Sequence, residues 1–331
     1  MKGILIINLG SPDDLSTSSI KKYLKEFLSD GLVIDYPKFI RKMVVNLFII
    51  PLRIKTTSKA YSRIWSKNGS PLINGTYKLS SYVKNKLNWP VEIAMRYQNP
   101  SIKSALEKLI EKGCNEITVL PLYPHYAISS TKTSIKEVKR VVDKNKMSVK
   151  LNFIKSFYKD EGYIEALVSV IENHRSPNSD LLLFSYHGIP KRHLRKASKK
   201  IKHLESKCLN SECLIEEYCY RHQVYETSRL CAEKMRIPNK NWKVSFQSRI
   251  GPGWLEPFTD KELSSLPQKG VRHIDVVCPS FIIDNLETLE EIDIQGRNIF
   301  LNSGGVTFNY IPCMNFNSLF IDYLSSKLKK G

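Results

Sequence analysis

Three groups of residues in this 331-residue sequence have types and spacings that could do chemistry. His187 lies in residues 181–190, LLLFSYHGIP, where a short apolar run ends in Ser185-Tyr186-His187 and is stopped by Gly188 and Pro190. An imidazole titrates near neutrality, so it can serve as proton acceptor or metal ligand. The competing reading is a hydrogen-bonded histidine at a strand end with no further role. Asp284, Glu287 and Glu291 would share one face of a helix expected over residues 284–293. Three carboxylates on one face repel one another. They mark either an acidic first turn facing water, or a track for a cation and a proton acceptor with a raised pKa. The third group is Cys208-x4-Cys213 followed by Cys219. With seven cysteines, an odd count, and no secretion signal, free thiols or metal ligands are expected rather than disulfides.

The elements that must position these groups alternate between strand and helix. Strands are expected at 2–8, 91–97, 116–123, 149–157, 181–184, 243–248 and 273–278, with a weak one at 298–301. Helices are expected at 20–28, 76–86, 101–112, 129–142, 161–174, 224–235, 260–266, 284–293 and 318–329. The continuous apolar runs read as strands buried on both faces, hence parallel. The alternation predicts an α/β fold of two doubly wound parallel-sheet units, with no sequence repeat between the halves. His187 then sits at the carboxyl end of a parallel strand, where open α/β sheets bind ligands. The turn Leu9-Gly10-Ser11-Pro12 lacks the spacing of a dinucleotide fingerprint. Residues 61–74 read as a loop around Asn68-Gly69-Ser70-Pro71. Residues 39–55, FIRKMVVNLFIIPLRIK, are apolar with Arg41, Lys42, Arg53 and Lys55 at the flanks. They read as a buried core helix, or as an amphipathic element touching a membrane or greasy ligand.

Lys and Arg number 51 against 32 Asp and Glu, a formal charge of +19. That reflects compositional bias or an anionic surface or substrate. No nucleic-acid module is present. The longest apolar stretch, 43–50, is too short to span a bilayer. Met1-Lys2 leads into a strand without a cleavage-site pattern, so a cytoplasmic location is expected.

Taken together, several segments resemble the signature segments of the ferrochelatases, in kind and in order. They are Phe184-Ser-Tyr-His187-Gly-Ile-Pro190, Phe246-Gln-Ser-Arg249, Trp254-Leu-Glu-Pro-Phe-Thr-Asp260 and Asn285-Leu-Glu287-Thr-Leu-Glu-Glu291. Asn8-Leu9-Gly10-Ser11-Pro12, Tyr61 with Gly69-Ser70-Pro71, Met95-Arg96-Tyr97, Pro121-Leu122-Tyr123-Pro124, Gly304-Gly305 and Tyr310-Ile311-Pro312 extend the match over nearly the whole chain.

The resemblance implies insertion of Fe2+ into protoporphyrin IX with release of two protons, the last step of haem synthesis. It implies two Rossmann-like, chelatase-like domains with a porphyrin cleft between them. The first would be 1–128 with 308–331 packing back; the second would be 129–307, carrying an insertion at about 191–220. His187 and Glu287 would face each other across the porphyrin as catalytic residues and iron ligands, with the division of roles open. Asp284 and Glu291 would form an outer relay for protons or metal. Leu9, Tyr61, Ser70, Arg96, Tyr97 and Tyr123 match positions lining or neighbouring the cleft, and 39–50 matches its lip. Peripheral contact with the inner membrane face therefore stays open; no oligomeric state is indicated.

The sequence departs from the family at three places. Position 285 is Asn where relatives often have His or Cys; an amide can orient Glu287 but cannot act as a base. The segment before Trp254 is about one residue short. Cys208, Cys213 and Cys219 resemble ligands of a 2Fe-2S cluster carried by some bacterial relatives. Such a cluster wants four ligands, and the expected fourth position holds Val224. His203 and His222 are the possible substitutes and Cys231 is expected within a helix, so the expectation is that the cluster has been lost. The alternatives to the leading reading are a coproporphyrin III ferrochelatase, a porphyrin- or haem-binding protein without turnover, and a cobalt chelatase.

Overall fold

The computed structural model describes residues 1–197, 209, 213, 215–249 and 251–330. The chain forms two compact units. The first comprises Met1–Leu122, Ile128–Lys155 and Leu324–Gly331; the second comprises Tyr123–Ala127 and Ser156–Tyr323.

The first unit contains, in order, β1 (Lys2–Asn8), α1 (Thr17–Leu28), α2 (Lys38–Val44), a π-helical turn (Val45–Ile49), α3 (Ile50–Ile64), α4 (Pro71–Leu87), β2 (Val91–Met95), α5 (Ile102–Glu111), β3 (Glu116–Pro121), a second π-helical turn (Ile128–Lys132), α6 (Thr133–Lys144) and β4 (Lys150–Phe153). Its four strands are all parallel, in the order β2-β1-β3-β4. β1 is central, and its Ile4 to Ile7 are fully buried. On one face Leu5, Ile7, Ile117 and Val119 pack against Leu106, Leu109 and Val138 of the covering helices.

The second unit contains α7 (Glu161–His174), β5 (Leu181–His187), α8 (Lys191–Ala197), α9 (Tyr220–Lys234), β6 (Trp242–Gln247), α10 (Thr259–Ser265), β7 (His273–Val277), a long π-helix (Leu286–Gly296), α11 (Arg297–Asn302) and β8 (Thr307–Ile311); α12 (Ser318–Lys330) closes the chain. Its strands are parallel in the order β6-β5-β7-β8. Each sheet thus begins at an inner strand, adds the next on one side, then reverses to the other. The halves repeat a topology that their sequences do not share. The reversal falls beside β1 in one sheet and β5 in the other, and ligands bind open α/β sheets at the carboxyl ends flanking such a reversal.

Several expectations are corrected. Residues 298–301 are helical within α11, and the edge strand is β8. A four-residue apolar run carries no decisive period, and here Phe300 is buried while Leu301 is exposed. Residues 61–74 are not one loop: α3 reaches Ile64, and Pro71 starts α4, where a missing N–H costs nothing. Strand pairing moves the unit boundaries from those expected. β4 bonds to β3, so residues 129–155 join the first unit; β8 bonds to β7, so only the tail from Leu324 joins it. Residues 39–55 do not form a buried core helix, since Phe39, Leu47, Phe48 and Leu52 are all exposed. Among the described residues no helix is long and apolar enough to cross a membrane.

Candidate active site

His187 is the last residue of β5 and pairs in register with Gln247, the last residue of β6. Its Nδ1 lies 2.7 Å from the carbonyl oxygen of Gly188. A carbonyl only accepts, so Nδ1 carries the proton and Nε2 keeps its lone pair. The backbone is held on both sides of the ring. The His187 N–H donates to Ser280 Oγ at 3.2 Å, and the Tyr220 hydroxyl donates to the His187 carbonyl at 2.8 Å. Burial holds the imidazole below its ordinary pKa, partly offset by the bond to Gly188. At neutral pH it is a neutral base. Gly188 is required by close approach: a Cβ there would sit 2.8 Å from the Gln247 carbonyl oxygen.

Gln247 joins this strand end to the backbone of the helix that carries the carboxylates. Its Nε2 donates to the Glu287 carbonyl at 2.9 Å, and its Oε1 accepts from Ser185 Oγ at 2.7 Å. The next residue, Ser248, has a left-handed backbone with φ 62°. Its N–H donates to Glu291 Oε1 at 2.7 Å and its hydroxyl to Glu291 Oε2 at 2.5 Å. Neither role is assigned by reading the Gln-Ser-Arg segment as a motif. The usable signal is register, because Gln247 must lie beside His187 if both end adjacent parallel strands.

Glu287 and Glu291 lie one turn apart in the π-helix. Burial, with the nearby Glu291 carboxylate, pushes the Glu287 carboxyl up to about 7. Burial also raises Glu291, against the two bonds from Ser248 that favour its charged form. The Glu287 carboxyl, which would titrate well below neutrality on an exposed helix, is therefore poised to exchange protons near neutrality.

Asp284 does not share their face. The helix begins after it, at Leu286, with Asn285 as cap. Asn285 Oδ1 accepts the N–H of Glu287 at 2.9 Å and that of Thr288 at 3.3 Å, while the Asn285 N–H donates to Thr288 Oγ1 at 2.9 Å. This reciprocal box satisfies helix-end N–H groups and fixes where Glu287 starts its turn. Asn285 is buried, and its Nδ2 donates to the Ile283 carbonyl at 2.9 Å.

The expected porphyrin-lining residues divide between the units, Leu9, Tyr61, Ser70, Arg96 and Tyr97 in the first and Tyr123 in the second. Leu9 and Tyr97 meet through their backbones, with Tyr97 N donating to Leu9 O at 2.9 Å. Gly10 sits beside them at φ 112°, and a Cβ there would fall 2.0 Å from the Tyr97 carbonyl oxygen. Rings connect Tyr61 to Tyr23, Tyr23 to Phe27 and Phe27 to Tyr97, at centroid separations of 6.4, 6.0 and 5.1 Å. Ser70 is buried at the start of α4. Arg96 is ion-paired: Nη2 lies 2.6 Å from Asp30 Oδ2, and Nε donates to Thr133 Oγ1 at 2.8 Å. The Tyr97 hydroxyl donates to the same Asp30 oxygen at 3.0 Å. The Thr133 hydroxyl and these partners hold the Asp30 carboxyl below the usual range despite burial.

Of the cysteine group, Cys208 and also His203 lie outside the described residues. Cys219 is buried as the cap of α9, where its sulfur accepts the His222 N–H at 3.4 Å. Val224 and Cys231 are buried on that helix. Among the described residues, no three His, Cys, Asp or Glu side chains are grouped to hold a metal ion.

Comparison with known proteins fits this arrangement. The sequence profile of the Ferrochelatase family matches residues 1–331. A ferrochelatase of Opitutus terrae is 40% identical over 99% of this chain and 97% of its own. One of Pseudomonas fluorescens is 41% identical over 94% of this chain and 93% of its own. The crystal structure of the sirohydrochlorin chelatase SirB from Bacillus subtilis subspecies spizizenii in complex with cobalt shares the fold, with TM-score 0.57 at 13% identity over 99% of this chain and 94% of that one. This chain belongs to the ferrochelatase family, metal-chelating enzymes of the lyase class.

Proposed function

We propose that this chain inserts Fe2+ into protoporphyrin IX, giving protohaem and two protons. One observation carries the reading: a neutral histidine with a free Nε2 lone pair ends a strand at the sheet reversal, beside Gln247, whose amide holds the backbone of Glu287, and the Glu287 carboxyl is poised at about 7. Metallation breaks two pyrrole N–H bonds and forms iron–nitrogen bonds with no change in oxidation state. It needs bases at the ring centre and ligands that replace water on iron. His187 Nε2 and the Glu287 carboxylate are the groups we assign to both tasks. Glu291, one turn on, takes protons from Glu287 and passes them outward. Leu9, Tyr61, Ser70, Arg96, Tyr97 and Tyr123 are the porphyrin-lining residues. Arg96 arrives paired with Asp30, so it orients a propionate more than it adds net charge.

Anaerobic absorbance assays with Fe2+ and, separately, protoporphyrin IX and coproporphyrin III test this. Metallation of protoporphyrin is expected. Turnover with coproporphyrin alone would change the substrate, and tight binding of both without turnover would replace the enzyme with a binding protein.

Two further points belong to this reading. The iron–sulfur cluster of some relatives is absent here, a reading supported by Val224, which has no ligating atom, at the expected fourth position on the buried face of α9; anaerobically purified protein should carry no stoichiometric sulfide. The exposed apolar side chains of α2, the adjoining π-turn and α3 rest on an anionic membrane surface from the cytoplasmic side. Lys42, Arg53 and Lys55 flank them, whereas Arg41 is committed to the carbonyls of Ser29 and Tyr36 at 2.8 and 2.7 Å. Cosedimentation with anionic vesicles should exceed that with neutral ones and weaken as salt rises. Equal binding to both vesicle types would sink the electrostatic part.

A further inference from the structure

We infer that Asp284 is a positioning residue that clamps the strand β8 segment to the start of the carboxylate helix, and is not a station in a proton or metal relay. This rests on the proposed roles of Glu287 and iron. A relay carboxylate needs a lone pair to spare and contact with the next carrier. Asp284 lacks that contact, and both its oxygens are committed to structural donors. Its Oδ1 accepts from the Tyr310 hydroxyl at 2.5 Å, from Thr288 Oγ1 at 3.1 Å and from the Cys313 N–H at 3.2 Å. Its Oδ2 accepts from Asn315 Nδ2 at 2.8 Å. A carboxylate has about four lone-pair sites, two on each oxygen; the three donors saturate Oδ1, and Asn315 holds Oδ2. Neither the Glu287 nor the Glu291 side chain is among them.

The partners show what the carboxylate does. Tyr310 is in β8; Cys313 and Asn315 follow it; Thr288 belongs to the capping box that sets Glu287. Asn315 has a left-handed backbone, φ 48°, which a non-glycine residue adopts at a cost. It is held by a two-way clasp. Its Oδ1 accepts the Asp284 N–H at 3.0 Å while its amide donates to Asp284 Oδ2, and its own N–H donates to Ile282 O at 2.7 Å. Losing the clasp frees residues 282–288 to shift, and Glu287 with them.

The test is reciprocal exchange. Asp284→Asn and Asn315→Ala should each lower kcat about tenfold with KM for Fe2+ within twofold, and the double variant should lose no more than either alone. The paired exchange Asp284→Asn with Asn315→Asp puts an acceptor and a donor back across the clasp and should restore at least half of the lost rate, although position 284 then has no ionisable group. Tyr310→Phe, which removes one bond only, should show a smaller loss of the same kind and stay folded by thermal unfolding. A relay predicts the opposite: Asn315→Ala silent, KM for Fe2+ raised by Asp284→Asn, and no rescue by exchange. Any of those results overturns the inference. Absence of turnover in the unaltered protein would instead strike the proposed function.

Discussion

His187→Ala is expected to lower metallation by about two to four orders of magnitude, the range for loss of a positioned proton acceptor, while porphyrin affinity changes little. The reason lies in the tautomer. The Gly188 carbonyl takes the Nδ1 proton, so the ring presents Nε2 as its only basic atom. His125, another buried imidazole of the second unit, is a poor substitute. Its Nε2 is bonded to Thr227 at 3.0 Å, and burial drives its pKa down to about 3. The defect should be relieved in part by added imidazole, since the substitution leaves a ring-sized space. Fluorescence quenching by porphyrin would separate binding from turnover. Metallation within fivefold of the unaltered protein would remove His187 from the chemistry.

Glu287→Gln is expected to cost about a hundredfold or more in rate and to move the acid limb of the pH profile to lower pH. The sign follows from the direction of the shift. With its pKa raised to about 7, Glu287 is mostly protonated below that pH and mostly a carboxylate above it. A proton acceptor works only in the ionised form, so the rate should climb as pH passes through 7. His187 is held lower than its ordinary value and is already neutral there. In the glutamine variant the remaining acid limb should therefore move to lower pH. A limb that stays at 7 would assign it to another group. Ser248→Ala offers a graded version. It removes one bond favouring charged Glu291, so Glu291 should ionise later as pH rises and less repulsion should reach Glu287.

The strand–helix alternation was legible because parallel strands buried on both faces are continuous apolar runs; β1 and α7 begin and end where the pattern places them. His187 was legible for the same reason, since a run stopped by glycine and proline announces a strand end. Other features were not. Whether residues 284–293 wind as α or π depends on tertiary contacts, so Asp284 was placed on a face it does not share. Gln247 and Ser248 act through register between strands far apart in sequence, which no local period encodes. The pairing of Arg96 with Asp30 joins residues 66 positions apart. Spacing alone reads that arginine as a free cation. The apolar residues of α2 and α3 were ambiguous because amphipathic patterning does not say which face finds a partner.

The assignment of Leu324–Gly331 to the first unit bears on how the protein is made. Leu324 and Leu328 are fully buried, so the tail is part of that unit's interior. Yet residues 156–323 are translated between Lys155 and this tail. At about 5–20 residues per second, the nascent first unit waits roughly ten to thirty seconds for its last helical turns. Throughout that interval the places that Leu324 and Leu328 fill are empty, and the apolar residues of α2 and α3 are exposed as well. Truncations that spare every site residue but remove this tail should therefore yield chains that are captured by chaperones during synthesis.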